Sequence, residues 1–353
     1  MKKYFLFLIL LSPFGLFSCS LDQLNTDYSE HYNSNHTFHT SQNSLENVVI
    51  SKNLEFYALP NKKVEKEIIK KMKKSKKKIW IEMYMWTNRN IADAVINAKK
   101  RGVEVKVNLE PNVYKTPKVN LSIISYFQKR GIEVKYTDND RYKFTHAKFG
   151  IIDDEFFIST GNFTNSFFKN REYILFGKDP TIHTFLTSLF QADYDHKNVY
   201  TSIKIPGTIA VAPIDARKKI TALLQKADSK IQIYTQYLFD DEIRNELEKI
   251  HNSRKNIQIS VCTSNTEENR EAAQKYKNLN WKLAGSPYLH AKIIIIDDKI
   301  VFLGSQNLSQ NALDNNREVS IIFSDRPEIV KSIQKHISTH CKKLSEINTN
   351  IRQ

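Results

Sequence analysis

Residues 146–153 of this chain read HAKFGIID and residues 290–297 read HAKIIIID, so whatever the first stretch folds into, the second must fold into something closely related. Behind each phrase comes a short Asn-containing stretch, Thr160-Gly161-Asn162 in the first half and Gly304-Ser305-Gln306-Asn307 in the second. Each half then reaches Asn-Arg-Glu, ending at Glu172 and Glu318. The two histidines are 290 − 146 = 144 residues apart, and Pro180 and Pro327, which open the last helical pattern of each half, are 327 − 180 = 147 apart. The offset barely drifts, so the repeated unit is far longer than the phrase.

The flanking patterns agree. Apolar residues at helical spacing (Val64, Ile68, Ile69, Met72; Ile220, Leu223, Leu224) precede strand-like runs from Lys78 and Lys230. A second helix follows in each half (91–100; 241–250), then a strand (103–107; 257–261), a variable segment and a short strand before the phrase (132–136; 281–283). Beyond each Glu lies an apolar strand (173–176; 319–323) and a proline-started helix, proline being tolerated in a first helical turn. Strands alternating with helices predict an α/β fold of two similar sandwich lobes related by a pseudo-twofold axis. Residues 51–197 form the first lobe in this reading, 198–212 the connection, 213–345 the second lobe and 346–353 a tail.

Side chains two apart on a strand share a face, so His146 is expected beside Lys148, and His290 beside Lys292. If the two lobes meet along these strands, two His, two Lys and two Asn converge at their interface. Such a set suits phosphodiester chemistry, which needs a nucleophile, a proton for the leaving oxygen and donors around the phosphoryl oxygens. Histidine serves both proton states near neutral pH. Asp153 and Asp297 stand where the strand must reverse, and they read as hairpin residues. The nearby aromatics, Tyr84, Trp86, Tyr142, Phe144, Phe163 and Tyr288, read as core.

These residues resemble the phospholipase D superfamily, whose pattern is His-x-Lys-x4-Asp followed by Gly-Ser/Thr-x-Asn. The second half matches in full through His290, Lys292, Asp297, Gly304, Ser305 and Asn307. The first has His146, Lys148 and Asp153, but Asn162 lies 162 − 146 = 16 residues after its histidine, against 307 − 290 = 17 for Asn307. The resemblance covers roughly residues 50–345. It implies a phosphohistidine intermediate on one histidine, expected on His146, with His290 as general acid and then base. It places Lys148, Lys292, Asn162, Asn307 and Ser305 around the phosphoryl group. Glu172 and Glu318 fall where the family holds the histidine ring through Nδ1, and they lie 26 and 28 residues beyond His146 and His290. No cofactor or metal is implied.

The net charge of +15 predicts attraction to a polyanion, either a membrane rich in acidic phospholipid or nucleic acid. The lysine run from Lys62 to Lys78 is the strongest cluster and reads as an amphipathic helix with a basic outer face. At the N-terminus, Lys2 and Lys3 precede an apolar run from Tyr4 to Phe17 and then Ser18-Cys19, too short for a comfortable span. This resembles a bacterial lipoprotein signal with Cys19 as the lipidated residue, and a plain secretory signal or uncleaved anchor remains open. The expected location is the cell envelope, with residues 20–50 as a polar tether and the protein a monomer. Cys262 and Cys341 are too far apart in sequence to read as a disulfide framework. The expected activity is cleavage or exchange of phospholipid headgroups. A metal-independent nuclease, or a surface binding protein on an inactive scaffold, is the alternative.

Overall fold

The chain is described from a computed structural model, in which residues 54–197 and 204–343 are described. The first lobe runs β1 (Leu54–Ala58), α1 (Lys62–Lys74), β2 (Lys78–Met83), α2 (Arg89–Lys100), β3 (Glu104–Leu109), α3 (Leu121–Gln128), β4 (Glu133–Tyr136), β5 (Lys148–Ile152), β6 (Glu155–Ser159), β7 (Tyr173–Gly177) and α4 (Pro180–Tyr194). The second runs β8 (Ile209–Ala212), α5 (Ala216–Lys226), β9 (Lys230–Thr235), α6 (Asp241–Ser253), β10 (Gln258–Ser264), α7 (Glu267–Lys275), β11 (Trp281–Ala284), β12 (Lys292–Ile296), β13 (Ile300–Gly304), β14 (Glu318–Phe323), α8 (Pro327–His340) and β15 (Cys341–Lys343). The lipidation expected at Cys19, the tether and the tail beyond residue 345 lie outside the described residues.

Local sequence explains most of these elements. Helix α1 buries Val64, Ile68 and Met72, one residue per turn on one face, and Asn61 caps it by accepting from the Lys63 N–H. Asp179 caps α4 through the N–H groups of Thr181 and Ile182, with Pro180 in the first turn. Strands β5 and β12 are buried throughout, as their nearly unbroken apolar runs require.

The two sheets repeat one order. The first is β1-β7-β6-β5-β2-β3-β4 and the second, read in the same sense, is β8-β14-β13-β12-β9-β10-β11 with β15 added at the edge. Strands β2, β3 and β4 in the first sheet and β9, β10 and β11 in the second are parallel, and the motif strand joins each set antiparallel, Met83 facing Lys148 and Thr235 facing Lys292. One hydrophobic cluster includes both α4 and α8 with inward residues of both sheets, from Phe149 and Leu175 to Ile293 and Ile321, so the lobes share a core. Two expectations need correction. Residues 209–212, assigned to the connection, form β8 and pair with β14. Cys262 and Cys341 are joined in a disulfide, because β11 lies between β10 and β15 and brings residues 79 apart together.

Candidate active site

The lobes meet along two short reciprocal bridges, Thr145 with Arg317 and Arg171 with Leu289. The His146 N–H donates to the Arg317 carbonyl at 2.8 Å, and the His290 N–H donates to the Arg171 carbonyl at 3.1 Å. Each histidine is therefore pinned, through its own backbone, to the residue before the other lobe's glutamate. The consequence is a crossed pairing. Nδ1 of His146 lies 2.9 Å from the Glu318 carboxylate, and Nδ1 of His290 lies 2.6 Å from that of Glu172. The sequence reading tied each glutamate to the histidine of its own half, and the structure exchanges them. A carboxylate only accepts, so the proton sits on Nδ1 and each Nε2 is left for chemistry.

Lys148 and Lys292 begin β5 and β12, both buried, two residues beyond the histidines as strand geometry predicts. Lys292 Nζ lies 3.1 and 3.3 Å from the two ring nitrogens of His290 and donates to the His290 carbonyl and to Thr160 O across the interface. Lys148 Nζ donates to the His146 carbonyl. Burial pushes the His146 imidazole down to about 4, with Glu318 opposing and Lys148 assisting. Burial also lowers His290, against the pull of Glu172. Lys292 is pushed down to about 8 by burial, against both glutamates, and Lys148 is driven well below its ordinary value for the same reason. Both imidazoles are thus held mainly neutral at pH 7 before an anion arrives.

The missing residue before Asn162 is located. Strand β5 returns through the two-residue turn Asp153-Asp154, whereas β12 returns through Asp297, Asp298 and Lys299. After the turn the halves run in step: Ser159 pairs with Ile174 as Gly304 pairs with Ser320. The Thr160 N–H donates to Tyr173 O as the Ser305 N–H donates to Val319 O. Asn162 therefore occupies the place of Asn307. Its Oδ1 accepts weakly from Met85 N at 3.3 Å, while the buried Oδ1 of Asn307 has no hydrogen-bond partner. Ser305 Oγ is engaged with the backbone of Val319, next to Glu318, and Thr160 Oγ1 donates to Glu172 at 2.6 Å. These hydroxyls hold the glutamate strands in place. Gly161 sits where a Cβ would come within 2.5 Å of the Glu172 carboxyl.

The hairpin aspartates are at the far end of the strands. Asp153 and Asp297 have positive φ, a conformation Asp tolerates, and each carboxylate accepts from three successive backbone N–H groups, Lys76 to Lys78 and Asp228 to Lys230. Burial works to raise both carboxyls, but those donors more than offset it and hold them below the ordinary range.

Several supports escaped the sequence reading. Tyr84 packs edge-on against the His146 ring at 4.6 Å. Buried Glu110 accepts from the Thr145 N–H at 2.7 Å and so fixes the approach to His146. Fully buried Arg317 reaches back into the first lobe, where it pairs with Asp193 at 2.9 Å and donates to the Tyr142 hydroxyl. The Asn-Arg-Glu repeat was visible, but nothing local says that this arginine crosses between lobes.

Comparison with known proteins agrees with this geometry. A family profile described as "Cardiolipin synthase, PLD-like domain" matches residues 68–194 and 220–341, one match in each lobe. The chain belongs to this family of phospholipase D-like proteins. A probable cardiolipin synthase of Bacillus subtilis is 22% identical over 343 residues, covering 84% of this chain; the chain spans 66% of that relative, just under two thirds of its length. Phosphatidylserine synthase of Haemophilus influenzae Rd KW20 shares the fold, with TM-score 0.66 and 14% identity over 84% of this chain and 88% of that one. Polyphosphate kinase of Porphyromonas gingivalis does so with TM-score 0.63 and 17% identity, over 81% of this chain and 50% of its own.

Proposed function

We propose that this chain cleaves or exchanges phospholipid headgroups through a phosphohistidine on His146, with His290 as general acid and base. The observation that carries the reading is the crossed pair: two imidazoles, each oriented through Nδ1 by a glutamate of the opposite lobe, beside two buried lysines. Nε2 of neutral His146 attacks phosphorus, and the bond from phosphorus to the departing alkoxide breaks as His290 gives up its proton. An incoming alcohol or water then loses a proton to His290 and attacks, the P–N bond breaks, and His146 is released. Bound phosphodiester adds a negative charge to the pocket, which raises both imidazoles and supports the protonated state that His290 needs. Lys148, Lys292 and the amides of Asn162 and Asn307 supply donors to the pentacoordinate phosphoryl group, each worth on the order of 100-fold or more in rate.

The choice of His146 as nucleophile follows the family resemblance, and burial, which keeps its imidazole neutral, leaves its lone pair available. An exported location is supported by the Cys262–Cys341 disulfide, since such bonds persist in oxidising compartments. Lipidation of Cys19 is part of the same proposal.

The test incubates purified protein with acidic phospholipid vesicles and, separately, with single- and double-stranded DNA, each with and without EDTA, alongside His146→Ala and His290→Ala. Headgroup release by the parent and its loss in both variants is expected. DNA cleavage without lipid turnover would overturn the substrate assignment, turnover of neither would favour a binding role, and loss of turnover in EDTA would overturn the metal-free course.

A further inference from the structure

Among the described residues four large hydrophobic side chains are exposed: Tyr114 at 50%, Leu121 at 49%, Tyr136 at 44% and Tyr288 at 44%. All four lie at the catalytic end of the sheets. Tyr136 closes β4 in register with Leu109, which pairs with Met83, the partner of Lys148. Tyr288 stands two residues before His290, with its ring 6.5 Å from the imidazole. The Tyr114 N–H donates to the Tyr84 hydroxyl at 2.7 Å, and its ring is 6.4 Å from Phe144. Leu121 follows Asn120, whose buried amide donates to the carbonyls of Tyr84 and Glu110. The segment from Pro111 to Leu121 is therefore strapped over the end of β2, beside His146.

Its charge points to what it meets. Lys115 and Lys118 are exposed in this segment, and no carboxylate occurs between Pro111 and Leu121. The corresponding place in the second lobe, after β10, is taken by α7, which exposes Glu267, Glu268 and Glu271. The Pro111–Leu121 edge of the mouth thus carries exposed apolar and cationic side chains with no carboxylate among them, whereas α7 carries three exposed glutamates beside Arg270 and Lys275. Tyrosine and leucine flanked by lysines suit the boundary between headgroups and acyl chains, where a ring or branched side chain enters the apolar layer and ammonium groups remain among phosphates. The lysine run of α1 is badly placed for this task. Its dense part, Lys70 to Lys78, runs down to the Asp153 hairpin at the opposite end of the sheet.

We propose that the segment Pro111–Leu121, with Tyr288 across the mouth, docks the catalytic end of the first lobe onto an acidic phospholipid bilayer. This rests on the phospholipid reading above and adds the surface by which the site reaches its substrate. Docking through this segment presents a headgroup to His146 without extracting the lipid into water.

The test measures co-sedimentation of the full chain, carrying His290→Ala so that no turnover occurs, with phosphatidylglycerol-containing vesicles, pure phosphatidylcholine vesicles and single-stranded DNA. Two paired variants, Tyr114→Ser with Leu121→Ser and Lys115→Gln with Lys118→Gln, are compared with the far-end pair Lys73→Gln with Lys74→Gln. The lysine pair is expected to weaken binding to acidic vesicles about tenfold or more, from about 1 kcal/mol per lysine at a membrane surface, and the Tyr114–Leu121 pair by about tenfold or more through lost burial of apolar side chains in the bilayer. The far-end pair is expected to bind as the parent does. Unchanged vesicle affinity in both mouth pairs, or a loss confined to the far-end pair or to DNA, overturns the proposal. Turnover of a dispersed short-chain phospholipid, measured with His290 intact, separates the two readings: its absence in the parent defeats the assigned chemistry, while its retention in mouth variants that have lost vesicle binding isolates docking.

Discussion

His146 and His290 differ in sequence context by little, yet the structure gives each a different partner, and the difference is measurable. Glu172 raises His290 and Glu318 raises His146, each working against burial. In the proposed mechanism the productive form of the free protein has His146 neutral and His290 protonated. That form is lost on the alkaline side as His290 gives up its proton, and on the acid side as His146 gains one near pH 4. Because burial holds His290 below its ordinary 6.5, the kcat/KM profile is expected to peak on the acid side of that value. Glu172→Gln removes the carboxylate that favours the imidazolium of His290, so it should move the alkaline limb to lower pH. Glu318→Gln should instead move the acid limb down and leave the alkaline limb in place. Each should also cost about 100-fold or more in kcat, the range typical for a misoriented acid–base group. Profiles with the two effects interchanged would return each glutamate to its own half. The histidines and glutamates were legible in the sequence because they sit in repeated phrases. Their pairing was not, because either glutamate satisfies the spacing.

At the scale of elements, the motif strand, its hairpin and the return strand form one unit, and the aspartates hold its far end. A two-residue turn in one copy and a three-residue turn in the other account for the unequal spacing to Asn162 and Asn307, so the pattern is displaced at the turn and intact at the site. Asp297→Ala removes a carboxylate that accepts from three backbone N–H groups and from Ser229 Oγ. The expected cost is about 1.5–3 kcal/mol of stability by denaturant titration, in the range of hydrogen bonds to charged groups, with kcat of the folded fraction nearly unchanged. A loss of kcat comparable to that of His290→Ala at full stability would make this residue a participant in proton transfer. The reading of both aspartates as turn residues followed from local chemistry, since a strand must reverse somewhere and Asp tolerates the left-handed backbone. The edge strands β1 and β8 were missed for the opposite reason. Leu54–Ala58 is only five residues long and is placed as a strand by pairing with Tyr173–Gly177, more than a hundred residues away.

At the scale of the molecule, the shared core and the disulfide tie distant pieces together. Cys262 and Cys341 close a loop spanning 79 residues, and α8, which contributes Ile329, Val330, Ile333 and Ile337 to the shared core, ends at the second cysteine. Restricting the unfolded chain over such a loop is worth roughly 4 kcal/mol in the chain-entropy view. Reduction, or Cys262→Ala with Cys341→Ala, is therefore expected to lower the denaturant midpoint of unfolding clearly, and an unchanged midpoint would show that α8 is held by packing alone.

The amino-acid sequence by itself determined the duplication, the α/β alternation, the histidines, lysines and asparagines that gather at the interface and the placing of His beside Lys, because each depends on periodicity or on residues a few positions apart. Only the tertiary structure decided which glutamate serves which histidine, where Arg317 goes, that Cys262 meets Cys341, and which surface surrounds the mouth. Those outcomes depend on how one lobe is set against the other and on which strands become neighbours. A repeated sequence specifies two equivalent half-sites, but the exchange of partners between them arises only when two folded surfaces come into register.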